Sequence, residues 1–279
     1  MNVICTNARG QKIELGWKRP FWMDKLPEGL GSQSEISTYQ IHGSDGALYS
    51  GAQATQRNIV LTVSLLKKDG LPVLRDRLYS FFQRGEPGTI TVQDGGIERQ
   101  ATYYAESVTV EGEGPVRTAT ISLICPDPLF YDTEDSYTGM ASFDKLIEFD
   151  FWFNEDFAVE EKNQDLIKAI YNDSVEVGMQ IRYTAAGTVV DPVLEDVGRG
   201  LSLAIETTME PGDEILIDTG KKTVTRTRNG EQTNLINAFT WESEWLMLKP
   251  GDNLFKFSAA EGTELLSTVI ITRKGYWGV

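Results

Sequence analysis

Histidine and cysteine are nearly missing from this chain, and with them go the commonest ways of building a reaction centre. A single histidine, His42, and two cysteines, Cys5 and Cys125, stand among 279 residues. Two thiols are too few for a disulfide scaffold or a zinc site, and each falls in a strand-like pattern, so buried free thiols are expected. Any histidine-based triad or metal centre would rest on His42, which lies in the turn-like run Ile41-His42-Gly43-Ser44-Asp45-Gly46 and reads as a solvated imidazole. Also missing are the GxSxG, CxxC, HExxH, phosphate-loop and paired-glycine patterns whose spacing carries a mechanism. Carboxylates are plentiful, but no spacing singles out a glycosidase-like pair. Asp132, Glu134 and Asp135 lack the glycine turn and distal glutamate of a calcium loop, so they read as a solvated acidic run. No catalytic residue, metal or cofactor is expected, and the chain reads as a non-enzyme.

Long apolar runs are absent too, which excludes a helical membrane span. The first residues, Met1-Asn2-Val3-Ile4-Cys5-Thr6, lack the basic region and apolar core of a secretory signal, so folding in a cytoplasm is expected. Positive charge is scarce where it would matter. The formal net charge is −15. Through Tyr131 there are 13 basic against 14 acidic residues, and from Asp132 onward 13 against 27. No basic cluster is present to grip nucleic acid or an anionic membrane.

What is present is alternation of period two, broken by glycine, proline and asparagine. Val3–Thr6 and Lys12–Leu15 read as an opening hairpin. Arg57–Leu66 is a central strand with Ile59, Leu61, Val63 and Leu65 on one face. One helix starts at Asp69-Gly70-Leu71-Pro72, with Leu71, Leu74, Leu78, Phe81 and Phe82 at helical spacing to cover a sheet. Thr89–Gln93, Glu98–Tyr104, Glu106–Glu111 and Val116–Cys125 complete that sheet, with turns at Asp94-Gly95-Gly96 and Gly112-Glu113-Gly114-Pro115. Between the first hairpin and the central strand, Trp17–Gly51 reads as a long irregular loop in which only Glu35–Ile41 alternates. Loops of that length in a domain are often functional. Its Phe21, Trp22, Ile36 and Tyr39 either anchor it locally or dock on a neighbouring subunit.

The pivot of the chain is Cys125-Pro126-Asp127-Pro128-Leu129-Phe130-Tyr131-Asp132. Pro126 cannot continue a ladder, and the two prolines hold Leu129-Phe130-Tyr131 on an extended stalk, so Pro126, Asp127, Pro128, Phe130 and Tyr131 form the expected interdomain hinge. The domains expected are residues 1–131, an acidic and aromatic connector over 132–167, and a second domain over 168–279. In the connector, Phe143, Phe149, Phe151, Trp152, Phe153 and Phe157 interleave with acids, which calls for burial rather than disorder. Beyond it, short strands such as Glu176–Ala185, Thr188–Leu194, Gln232–Ala238, Trp245–Leu248 and Leu265–Thr272, without helices, mean a β-sandwich. The fold class is therefore mainly β. Trp241 and Trp245 are the candidate ligand contacts: exposed, they would stack on a sugar, yet either could equally be core.

In order along the chain, Arg57-Asn58-Ile59-Val60-Leu61, Leu74-Arg75-Asp76-Arg77-Leu78, Cys125–Tyr131, Ile170-Tyr171-Asn172-Asp173, Asp191-Pro192, Gly212–Asp218 and Leu248–Asn253 resemble the distal tail proteins of long-tailed, non-contractile bacteriophages. Each motif is degenerate, and the specificity lies in their order over essentially the whole chain. Asp173 departs from the pattern, since glycine is usual after that asparagine, and there is no room for the sugar-binding module that some members insert. The resemblance implies an N-terminal β-rich domain with one helix that forms a hexameric ring, and a galectin-like β-sandwich projecting from it. It implies a hub in the virion tail tip, assembled in the host cytoplasm. Its partners would be further copies of itself, the tail tube protein, a tail-tip protein and, through the second domain, a receptor-binding protein, while DNA passes through the channel without specific binding. Two other readings stand beside it, a carbohydrate-binding protein for host attachment and a glycan hydrolase.

Overall fold

The computed structural model describes every residue except 33, 44, 67–69, 113–115, 141–142, 146–159 and 163–166, with backbone alone at 143–145 and 160–162. Backbone proximity divides it into two units, Met1–Thr133 with Gly275–Val279, and Glu134–Lys274.

Alternation sets the first unit. Its strands are β1 (Asn2–Thr6), β2 (Lys12–Leu15), β3 (Phe21–Met23), β4 (Glu35–Tyr39), β5 (Leu48–Gln53), β6 (Arg57–Leu65), β7 (Pro87–Asp94), β8 (Ile97–Glu111), β9 (Arg117–Cys125) and β10 (Phe130–Asp132), with one helix, α1 (Leu71–Phe81). The main sheet runs β2-β1-β7-β8-β9-β6-β3 and is antiparallel throughout. In β6, Ile59, Leu61, Val63 and Leu65 are fully buried, and β9 answers across the register with Ala119, Ile121, Leu123 and Cys125. Helix α1 adds Leu71, Leu74, Leu78 and Phe81 to the same core. Each such side chain contributes roughly 1.5–3 kcal/mol by leaving water. The β7–β8 turn needs two residues at positive φ, and Gly95 (φ 55) and Gly96 (φ 92) supply them.

The structure differs from the sequence reading at three places here. Glu98–Tyr104 and Glu106–Glu111 form one strand, β8, with a register shift between Ala105 and Ser107 that absorbs the extra residue. The stretch read as a loop contains the edge strand β3 and a hairpin, β4–β5, that stands as a separate two-stranded sheet. And Gly275–Val279, placed by the sequence in the second domain, lies in the first unit, because Gly275–Tyr276 pairs with Phe130–Tyr131.

The second unit has strands β11 (Ser136–Met140), β12 (Phe143–Lys145), β13 (Glu160–Lys162), β14 (Lys168–Asn172), β15 (Gln180–Ala185), β16 (Val189–Asp196), β17 (Leu201–Ala204), β18 (Thr208–Met209), β19 (Glu214–Asp218), β20 (Thr223–Arg228), β21 (Glu231–Asn234), β22 (Gly251–Glu261) and β23 (Leu266–Thr272). One antiparallel sheet runs β11-β23-β15-β19-β20-β21, and a second runs β14-β22-β16-β17 with β18 beside β16. Ile181, Tyr183, Ile215, Ile217 and Ile270 are buried from the first sheet, and Leu194, Leu203 and Phe255 from the second. Two expected strands do not form over their expected lengths. Gln232–Ala238 divides into β21 and a 3-10 turn at Ile236–Ala238, while Leu248 in Trp245–Leu248 makes only an isolated bridge to Val177. Within the expected connector, β11 is already part of the first of these sheets, and β12 pairs with β13. The side chains of Phe143, Phe149, Phe151, Trp152, Phe153 and Phe157 lie outside the described residues. No helix among the described residues is long and apolar enough to cross a membrane.

This packing has two chemical consequences. Cys5 and Cys125 are free and fully buried, and burial pushes the Cys125 thiol up to about 11 and Cys5 above the ordinary thiol range. Neither is expected to react with a thiol reagent at pH 8 until the protein is denatured, when both should; rapid labelling of the native chain would contradict the packing described. In the second unit, Arg228 donates from Nε to Asp213 Oδ1 at 2.8 Å and from Nη2 to Oδ2 at 2.5 Å, and the Glu210 amide donates to Oδ2 at 2.9 Å. These bonds, the arginine's first, hold the nearly inaccessible Asp213 carboxyl below its usual pKa. A depressed folded-state pKa contributes stability that is present above the unfolded value, about 3.9, and is lost as pH falls through the folded one. D213N is thus expected to cost about 1–3 kcal/mol at pH 6 and progressively less in acid. Thermal melts between pH 2 and 6 check this, and a gap between wild type and variant that does not narrow in acid would contradict it.

Candidate functional site

Nothing among the described residues assembles a reaction centre. His42 is exposed on its loop, and among the described residues no group of three or more histidine, cysteine or carboxylate side chains is positioned to hold a metal. The features that stand out are one buried cation and two exposed surfaces.

The buried cation is Arg57, 5% exposed at the start of β6. Its guanidinium has five N–H donors, and all are used on backbone carbonyls. Nε donates to Pro128 O at 2.8 Å, Nη1 to Gly29 O and Gly31 O at 2.6 Å each, and Nη2 to Pro128 O at 2.6 Å and Trp277 O at 2.7 Å. Its carbon lies 4.7 Å over the Phe130 ring, and burial pulls its pKa below the ordinary value. One side chain therefore gathers the Gly29–Gly31 loop, the Pro126–Tyr131 stretch and the C-terminal tail. Arg99 does the same for the last residues, lying 3.6 Å over the Tyr276 ring and donating to Gly278 O. The expected hinge is correspondingly anchored. Asp127 accepts from the Leu129 amide at 3.0 Å and from the Tyr131 hydroxyl at 2.6 Å, Pro128 is held by Arg57, and Phe130 is fully buried. Of the expected hinge residues, Pro126, Asp127, Pro128, Phe130 and Tyr131, all but Pro126 thus have these partners within the first unit.

The first exposed surface is the β4–β5 hairpin. Every residue of β4 is exposed, Ile36 by 65%, and Leu48 and Tyr49 are exposed in β5. Of the four candidate subunit contacts, Ile36 and Tyr39 lie here, uncovered by their own chain. Phe21 does not qualify. On β3 alternation turns Phe21 and Met23 inward, and Phe21 is a core residue. Trp22 points the other way and meets Trp17 edge-on at 5.5 Å. The second surface is the turn around Trp241, which is 90% exposed, while Trp245 stacks on Phe239 at 4.3 Å and is partly covered. The two tryptophans thus divide, one displayed and one packed.

Arg57, Arg99 and Tyr276 were not singled out by the sequence. For Arg57 a signal existed, a charged residue on the buried phase of an otherwise apolar strand. For the tail there was none, since what it offers Arg57 and Arg99 is two backbone carbonyls, from positions far away in sequence.

Comparison with known proteins settles what kind of molecule this is. Residues 8–125 match the phage tail protein RIFT-related domain, and residues 174–269 match the C-terminal domain of the siphovirus-type tail component. The chain belongs to the distal tail protein family of siphophages. As a member of it, this is a phage tail protein. The crystal structure of the phage SPP1 distal tail protein, described as a paradigm of the hub adsorption apparatus in phages of Gram-positive hosts, is similar at 15% identity with a TM-score of 0.68, over 98% of this chain and 99% of that one. Chains of the phage P2 baseplate in its activated conformation are similar with calcium, at 14% identity and a TM-score of 0.53, and with strontium, at 15% and 0.55, each over 97% of both chains. At such identities the likeness is one of fold. No curated protein resembles the chain closely enough to count as a relative.

Proposed function

We propose that this distal tail protein closes into a hexameric ring through its first unit, joins the tail tube to the tail-tip protein, and carries a galectin-like second unit that holds receptor-binding proteins. The observation that carries the ring is the β4–β5 hairpin. A two-stranded sheet is marginal alone in water, and this one leaves Ile36, Tyr39, Leu48 and Tyr49 exposed. A neighbouring copy would cover them. A closed ring needs two different complementary patches on each subunit, so the hairpin of one copy would meet a different surface of the next. The nearly balanced charge of the first 131 residues suits a channel that lets DNA slide past, since clustered cations would retain phosphates. Assembly would take place in the host cytoplasm and end in the virion tail. Light scattering on the purified chain tests the stoichiometry: a mass of six copies is expected at high concentration, and a monomer that persists even with tail tube protein added would contradict it.

A further inference from the structure

Trp241 is the most exposed large apolar side chain among the described residues, yet it is not on a slack loop. The segment carrying it is strapped along the edge strand β17 and its continuation. Phe239 bridges to Ile205, the Glu206 amide donates to Ala238 O at 2.8 Å, and the Glu244 amide donates to Ser202 O at 2.9 Å. The turn itself is closed from Ser243 N to Thr240 O at 3.1 Å, the Thr240 and Ser243 hydroxyls lie 2.5 Å apart, and Ser243 Oγ accepts from the Ala204 amide at 2.8 Å. Phe239 stacked on Trp245 fills the base. The indole is displayed by a preorganised turn, so binding it would cost little ordering entropy.

The chemistry around it indicates what it would bind. Across residues 201–207 and 235–247 the charged side chains are Glu206, Glu242 and Glu244, all exposed, with no lysine or arginine among them. Trp241 is followed directly by Glu242 and, just beyond the turn, by Glu244, while Glu206 lies on the strand edge to which the segment is strapped. The arginine nearest to Glu206 in sequence, Arg199, is engaged by Asp196 and Met247 O. An exposed indole with acids beside it suits a guanidinium or ammonium, which stacks on the ring and donates to the acids. Nucleic acid and anionic lipid would be repelled. A sugar site calls for concavity and converging polar groups, whereas Trp241 is almost wholly in solvent and the neighbouring Trp245 has one face stacked on Phe239 and is partly covered.

We infer that Trp241, with Glu206, Glu242 and Glu244, is a docking knob for an arginine- or lysine-bearing surface of another tail protein. The inference rests on the tail-hub reading and names the chemistry of one partner. The test places a photo-crosslinker at the knob, Trp241→p-benzoylphenylalanine, in virions of the phage that encodes this chain, and identifies the crosslinked peptide by mass spectrometry. The expected product is an arginine- or lysine-containing peptide of a different tail protein. Capture of that protein by the purified full-length chain should weaken about thirtyfold in W241A, be lost in E242K/E244K, and fall with rising salt. Ring formation by the same variants should be unchanged, which separates this inference from the hexamer proposal. A crosslink to a second copy of this chain, tryptophan-dependent binding to a glycan array instead, or no crosslink with full infectivity of W241A would each overturn it.

Discussion

Arg57→Met is expected to destabilise the first unit by about 3 kcal/mol or more and to lower its melting temperature by on the order of 10 °C. Methionine keeps much of the volume but donates nothing, so the carbonyls of Gly29, Gly31, Pro128 and Trp277 lose their shared partner. A buried carbonyl left unpaired costs about 1–3 kcal/mol, and water can recover only part of that near the edge of the unit. Lysine should not rescue the loss, because three donors on one nitrogen cannot span carbonyls from three separate segments. Deleting Gly275–Val279 removes one arm of the same network, so the deletion should cost less in R57M than in wild type. Calorimetry on the four proteins decides. A melting temperature within about 2 °C of wild type for R57M would show that the network is incidental.

Ile36→Asp with Tyr49→Asp is expected to abolish ring assembly while leaving the melting temperature of the monomer nearly unchanged. Both side chains are more than 60% exposed in the free chain, so their replacement removes no core contact. In a ring they would be covered by the next copy, where two uncompensated carboxylates cost several kcal/mol at each interface. Closure multiplies that effect, since every subunit contributes one such interface. Size exclusion with light scattering reads the result. Rings of unchanged mass would move the contact away from the hairpin.

Much of the fold was legible because burial imposes its period on sequence. Arg57–Leu65 alternates, Leu71–Phe81 repeats at helical spacing, and Asp94-Gly95-Gly96 turns with both glycines at positive φ. The errors have physical causes. The bulge in β8 looks like a strand break because an extra residue interrupts the alternation. Strand β5 contains Gly51 and mostly polar or exposed residues, so no buried face marks it. Phe21 and Met23 do alternate around Trp22, but three residues are too short a signal to separate an edge strand from a loop. The exposed apolar surfaces were only half legible. Sequence named Ile36, Tyr39 and Trp241, and coordinates were needed to show that they stand exposed while Phe21 and much of Trp245 do not. The carbonyl network of Arg57 was not legible at all, because backbone acceptors have no side-chain signature.

In the proposed hub this chain closes on copies of itself. Negative-stain electron microscopy of the purified wild-type protein at high concentration tests it most directly, because symmetry distinguishes a closed head-to-tail interface from an open one. Closed rings of six subunits with an open centre are expected. Open filaments, rings of another order, or single particles in the presence of the tail tube protein would contradict it.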